Sequence, residues 1–196
     1  AEIGAGSQIN QEAGTAGADQ SVVVAAASDI YSMGISGAVA VGGVGGVGAG
    51  LGVAIISNTT RAKVGSGAVL AAKNDVLVSA KASEDISSAG VAGAVGGLAS
   101  LAGGITTVVM TNVTEAELGG TTVAQGNVDV LAEDITRSGM LAGSVAVGGA
   151  AGIGAAVSVI SLDKTTTAKI ADGAQVTAFA IGADDHTVYT GNSFTD

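Results

Sequence analysis

Large and small residues alternate along much of this chain with a period of two. Val47, Ala49, Leu51, Val53 and Ile55 hold one set of positions, and Gly48, Gly50, Gly52, Ala54 and Ile56 hold the other. Successive side chains of a strand point to opposite faces, whereas a helical stripe recurs every three to four residues, so this stretch reads as strand. Ile153, Ala155, Val157 and Val159 alternate in the same way with Gly152, Gly154, Ala156 and Ser158. Leu98 and Leu101 loosen the pattern before ITTVVM resumes it at 105–110. In TRAKV, Arg61 and Lys63 are expected outward and Ala62 and Val64 inward. TEAEL sets Glu115 and Glu117 outward over Ala116 and Leu118, and Thr167 and Lys169 repeat this against Ala168 and Ile170.

The alternation recurs in register. GAVAVGG at 37–43 returns as AGAVGG at 92–97 and as GSVAVGG at 143–149, and the first glycines of the three pairs are spaced by 54 and 52 residues. Upstream of each lie SVVVAAASDIYSMG, VLVSAKASEDISSAG and VDVLAEDITRSG. Downstream lie SNTTRAKVGSG, TNVTEAELGG and LDKTTTAKIADG. AEIGAG at the start matches RAKVGSG, so the chain is expected to begin part-way through a repeat of a longer array. GSG, KND, GG, QGN and ADG punctuate the runs as turns. Each repeat therefore reads as several short strands, long enough for roughly two coils of a solenoid. One repeat cannot bury its apolar face alone, but stacked repeats can.

The predicted fold is all-β, a β-solenoid of the parallel β-helix kind, built from about three degenerate repeats of roughly 52–56 residues. Residues 1–180 form the repeat domain and 181–196 a non-repeating tail or cap. The structural repeat positions are the pairs Gly42 and Gly43, Gly96 and Gly97, and Gly148 and Gly149. Their expected task is to turn the chain and let a neighbouring layer approach a bare strand face.

Composition narrows the partners. Glycine supplies 33 of 196 residues, proline none and aromatic residues 2%, so a core must be built from Val, Ile, Leu and Ala. With 17 acidic against 7 basic residues the net charge is −10, which repels nucleic acid and anionic membrane surfaces. The absence of cysteine removes disulfides and thiolate metal sites. Residues 35–57, 86–114 and 138–162 carry no charge, and each block is long enough to span a bilayer as a helix. The two-residue period, the acidic flanks and the missing aromatic belts argue against membrane insertion.

Chemistry-bearing motifs are few. GVGGVG at 43–48 fits the dinucleotide fingerprint in spacing, but alternation continues through Ile56 where a helix should begin, and residues 62–70 hold no carboxylate for a ribose. No cofactor is expected. The glycine runs lack the aspartates of a calcium-binding β-roll, so no metal is expected either. His186, after Asp184 and Asp185, reads as part of a solvated turn. Glu84 with Asp85 and Glu133 with Asp134 recur in register, but the first repeat has only Asp29, so they read as solvated turn residues at a strand end. The sequons at Asn58 and Asn112 fall at one repeat position and read as a polar turn. No nucleophile, base and orienting group come together, and the chain is expected not to be an enzyme.

GAVAVGGVGGVGAGLGVAIISNTTRAKV, followed by GSG and DVLVSAKA, resembles the repeats of large bacterial surface and secreted adhesins. These are the filamentous-haemagglutinin-like proteins and the leukotoxin-like filamentous adhesins. The resemblance covers about residues 20–180; the tail departs from it. It implies a β-helical shaft exported to the bacterial surface or beyond, acting in adhesion and contacting a host-cell or matrix receptor. Further repeats of the same protein, or copies of itself in an extracellular filament, are the other expected partners.

Overall fold

A computed structural model of the chain describes residues 1–10 and 16–181. Within them the chain forms strands and no helix: β1 (Glu2–Ile3), β2 (Gln8–Ile9), β3 (Val22–Gly42), β4 (Gly45–Val64), β5 (Val69–Ala72), β6 (Val76–Gly96), β7 (Ala99–Leu118), β8 (Thr121–Ala124), β9 (Val128–Gly148), β10 (Ala151–Ile170) and β11 (Gln175–Ala178). Three parallel sheets result, in the orders β1-β4-β7-β10, β11-β8-β5-β2 and β3-β6-β9. This is a β-solenoid. Three coils, β3–β5, β6–β8 and β9–β11, stack in register, so that Gly42 pairs with Gly96 and Gly96 with Gly148.

Each repeat makes one coil, not the two that its length suggested. The reason is strand length. An outgoing strand of 21 residues and a returning strand of 20 take up most of each repeat, and the third strand has only 4. At about 3.3 Å per residue the long strands reach about 65–70 Å, while the coils are about 4.8 Å apart, so the molecule is a broad, shallow stack. The turns expected at GSG, KND, GG, QGN and ADG do lie between strands, whereas polar stretches such as ASEDISS and SNTT lie inside unbroken ladders. The interruption expected at Leu98 and Leu101 is likewise absent: Leu98 sits before the first residue of β7, and Leu101 shares the outward face with Ile105.

The two ends of the coil are built differently. At the base the short strands close a third side around a core that includes Val64, Leu70, Val76, Val78 and Leu118, all fully buried. The corners into β2, β5 and β11 are tight turns with a glycine at the third position, and the corner into β8 is a shorter bend at Gly120. Ser7, Ala68 and Ala174 donate their N–H groups to the carbonyls of Gly4, Gly65 and Ala171. Gly6, Gly67, Gly120 and Gly173 hold φ between 72° and 76° there, a left-handed conformation that side chains disfavour.

At the tip only two sheets remain, and they come much closer together. A Cβ built on Gly50 would lie 2.8 Å from the carbonyl oxygen of Val91, and one on Gly152 would lie 2.5 Å from that of Ala146. On Gly48 it would overlap the Gly93 carbonyl. The inward positions are therefore glycine, alanine and serine, and the valines and leucines of these strands point outward. The expectation of a Val, Ile, Leu and Ala core holds at the base; at the tip, Ala92, Ala94 and Ala102 are its buried apolar members.

Replacing Gly50 or Gly152 with Ala is expected to cost about 1–3 kcal/mol in urea unfolding, since backbone must move. Gly43→Ala is expected to change stability by less than about 0.5 kcal/mol, because a Cβ there meets nothing within 4 Å.

Candidate interaction surface

Close packing of the tip interior decides what the exterior presents. On the β4-β7-β10 sheet the outward positions run in columns across the three coils, because the ladder pairs residues of like position. Gly45, Ala99 and Ala151 form a small column, and Val47, Leu101 and Ile153 a large one. Ala49, Gly103 and Ala155 form the next small column, and Leu51, Ile105 and Val157 the next large one. Val47 is 71% exposed and Leu51 68%, values far above those of core residues. The β3-β6-β9 sheet is also apolar outside, but its pattern is a checkerboard: Gly37, Val91 and Gly143 lie beside Val39, Gly93 and Val145.

The apolar face ends where charge begins. Across the outer base of the β4-β7-β10 sheet, Arg61 pairs with Glu115 at 3.0 Å and Lys63 with Glu117 at 3.5 Å. Lys169 then bridges Glu115 at 2.9 Å and Glu117 at 3.2 Å. Glu2 pairs in register with Lys63, so one column reads acid, base, acid, base through Glu2, Lys63, Glu117 and Lys169. The hydrogen bond from Lys169, followed by its charge and that of Arg61, outweighs desolvation and holds the Glu115 carboxyl below its ordinary value of 4.5. The Lys169 ammonium is held above its usual range, chiefly by Glu115 and then by Glu117.

A second polar group lies between the sheets. Glu84 and the Asp134 side chain are buried in mid-strand, so the solvated-turn reading of the two carboxylate pairs fails for their inward members. Only Asp85 and Glu133 take outward positions. Glu84 accepts from Asn58 Nδ2 at 3.2 Å and from Thr136 Oγ1 at 2.8 Å, and Lys164 Nζ lies 4.0 Å away. Lys164 also ion-pairs with Asp134, whose other oxygen accepts from Thr114 at 3.2 Å and Asn112 at 3.4 Å. Asn58, Asn112 and Lys164 form one inward column. The two sequon asparagines are thus not in a turn, and in the folded chain Asn112 is only 1% exposed.

This layer separates the base core from a middle cluster of Ile86, Val108 and Met110. Its groups bond mainly to one another between the sheets, with Asn112 Oδ1 left unpartnered and the Lys164 side chain 25% exposed in the end coil, an arrangement that suits positioning of the two sheets better than chemistry on a substrate. Alternation alone marked these positions as inward, but carboxylates and asparagines in a row also resemble a turn.

Gly42, Gly96 and Gly148 end the outgoing strands, and a Cβ on any of them would overlap a carbonyl across its own tip, that of Gly45, Ala99 and Ala151 in turn. Gly97 and Gly149 lie against the carbonyls of Gly43 and Gly97 in the preceding coils. None of the six has the positive φ of the base corners, so five of them are required for space, and Gly43, whose Cβ would meet nothing within 4 Å, is not. The fingerprint GVGGVG spans this tip and runs into strand β4. Asp184, Asp185 and His186 lie outside the described residues. Among the described residues no three His, Cys, Asp or Glu side chains group as metal ligands, and no helix is long and apolar enough to cross a membrane. No protein-family model, curated protein or solved structure matches the chain.

Lys164→Met, which leaves two buried carboxylates without their cation, is expected to destabilise by about 3–5 kcal/mol. Adding Glu84→Gln and Asp134→Asn to it should recover part of that loss in urea unfolding.

Because the folded-state pKa of Glu115 is depressed, its contribution is present above pH 4.5 and is lost as pH falls through the lower folded value. Glu115→Gln should therefore lower the urea midpoint at pH 7 and leave it nearer the parent's in strong acid.

Proposed function

We propose that this chain is a non-enzymatic structural segment of an extracellular bacterial adhesin, a length of shaft at the cell surface. The observation that carries the reading is the in-register stacking of three like coils, in which each coil is both the product and the template of the same ladder. Such a stack extends by adding coils without a new kind of contact. The likeness of its repeats to those of filamentous adhesins supplies the cellular setting. Host-cell or matrix contact belongs to that setting, with the shaft holding a binding region away from the surface.

A second reading is that copies of the chain assemble end to end into an extracellular filament. The alternating column favours it, since a copy that set its residues 1–9 against β10 and β11 would bring Glu2 beside Lys169. Edge strands with free ladder groups readily accept such a neighbour.

Antibody labelling and protease shaving of intact producing cells test the first reading. Surface labelling that the protease removes is the expected result, and a chain accessible only after lysis would overturn it. Electron microscopy of the purified chain separates the two readings. Filaments about 65–70 Å wide with a 4.8 Å axial repeat would make end-to-end assembly primary, whereas dispersed particles are expected of a shaft segment.

A further inference from the structure

We infer that the outer face of the β4-β7-β10 sheet, over the tip half of the molecule, is a pairing surface for a second copy of this chain. The two copies would lie side by side with their stacking directions parallel. The inference does not rest on the adhesin reading, since it concerns the shape and polarity of one face.

Four outward columns carry the argument. Counted from the tip they are small (45, 99, 151), large (47, 101, 153), small (49, 103, 155) and large (51, 105, 157). A two-fold axis lying in the interface, along the stack and between the second and third columns, exchanges the second with the third and the first with the fourth. Every large side chain then faces a small one. Leu101 enters the groove at Gly103 of the second copy, and Ile105 lies over the second copy's Ala99.

Because all three coils repeat the order, each coil meets its own counterpart and further coils would extend the match. The checkerboard of the β3-β6-β9 sheet is less complete. The same operation there would set Ile35 against Val41 and Leu141 against Val147, large against large.

Polarity agrees with shape. Outward positions 45–55 of β4, 99–109 of β7 and 151–161 of β10 contain no charge. The overlap is about 30 Å along the strands and about 14 Å across three coils, a footprint of about 400 Å² on each copy. A pair would bury about 800 Å², below the roughly 1,000 Å² of a stable specific interface. Three coils should therefore pair reversibly, and each added coil enlarges the contact by about a third.

Sedimentation equilibrium of the purified chain from micromolar to millimolar concentration is expected to show a monomer–dimer equilibrium. Gly103→Leu fills the groove in the middle coil. It should fold normally, since a Cβ at Gly103 meets only the Ala155 carbonyl at 3.9 Å, and it should weaken pairing at least tenfold. Adding Leu101→Ala exchanges ridge and groove and should restore most of the affinity. The β-sheet circular dichroism of each variant checks its fold.

Cysteines test the geometry without relying on affinity, because the chain has none of its own. Val47→Cys mixed with Ala49→Cys should give disulfide-linked dimers on oxidation, and neither variant alone should do so. A parent chain that stays monomeric to millimolar concentration would overturn the inference. So would association unchanged by Gly103→Leu, which points to pairing at the stack ends, or cross-linking by each cysteine variant alone.

Discussion

The close approach of two long sheets at the tip is the constraint from which most of this structure follows. Where the backbone of one sheet lies within about 3 Å of the Cβ positions of the other, at Gly50 against Val91 and Gly152 against Ala146, even a methyl does not fit without a shift of backbone, and neighbouring inward positions admit only small side chains. Glycine, alanine and serine fill the interior, and the alternation of the strand sends valine, leucine and isoleucine outward. An apolar exterior is here the consequence of a thin interior. It leaves the tip half with little hydrophobic burial of its own and makes the coil-to-coil ladders and the base core its main support.

The base resolves the same strands differently. A third, short strand opens the section enough for leucine and valine to point inward, and the fully buried core gathers there. Between base and tip, the Glu84, Asp134 and Lys164 layer ties the sheets together with directional bonds. Buried polar groups of this kind tolerate few alternative partners, so the layer opposes a slip of one sheet against the other, a movement that valine and alanine alone would resist weakly. The surface network around Glu115 and Lys169 adds preference for neighbouring coils of opposite charge.

Much of the fold was legible in the chain. The repeated glycine pairs gave the stacking register, and the two-residue period gave strands and the inward or outward side of nearly every position from Arg61 to Val64 and from Glu115 to Leu118. Strand length was harder to read. A polar stretch such as ASEDISS marks a turn when its side chains face water, and a strand interior when alternate members bond across a narrow space. The local residues are the same in both cases. Asn58 and Asn112 illustrate this, because their partners Glu84 and Asp134 lie 26 and 22 residues away along the chain.

By itself the sequence determined the class of fold, the repeat and the alternation of large with small side chains, because these follow from the two-residue geometry of a strand and from like segments recurring at one spacing. The glycines of the alternation already pointed to a bare face approached by a neighbouring layer; only the tertiary structure decided that this layer is the facing sheet of the same chain, which leaves the valine face outside. Both faces of the tip strands are free of charge, and hydrophobicity by itself would have put the valine face inside. The choice was made by the spacing of the sheets, which admits the glycine face and excludes the valine face.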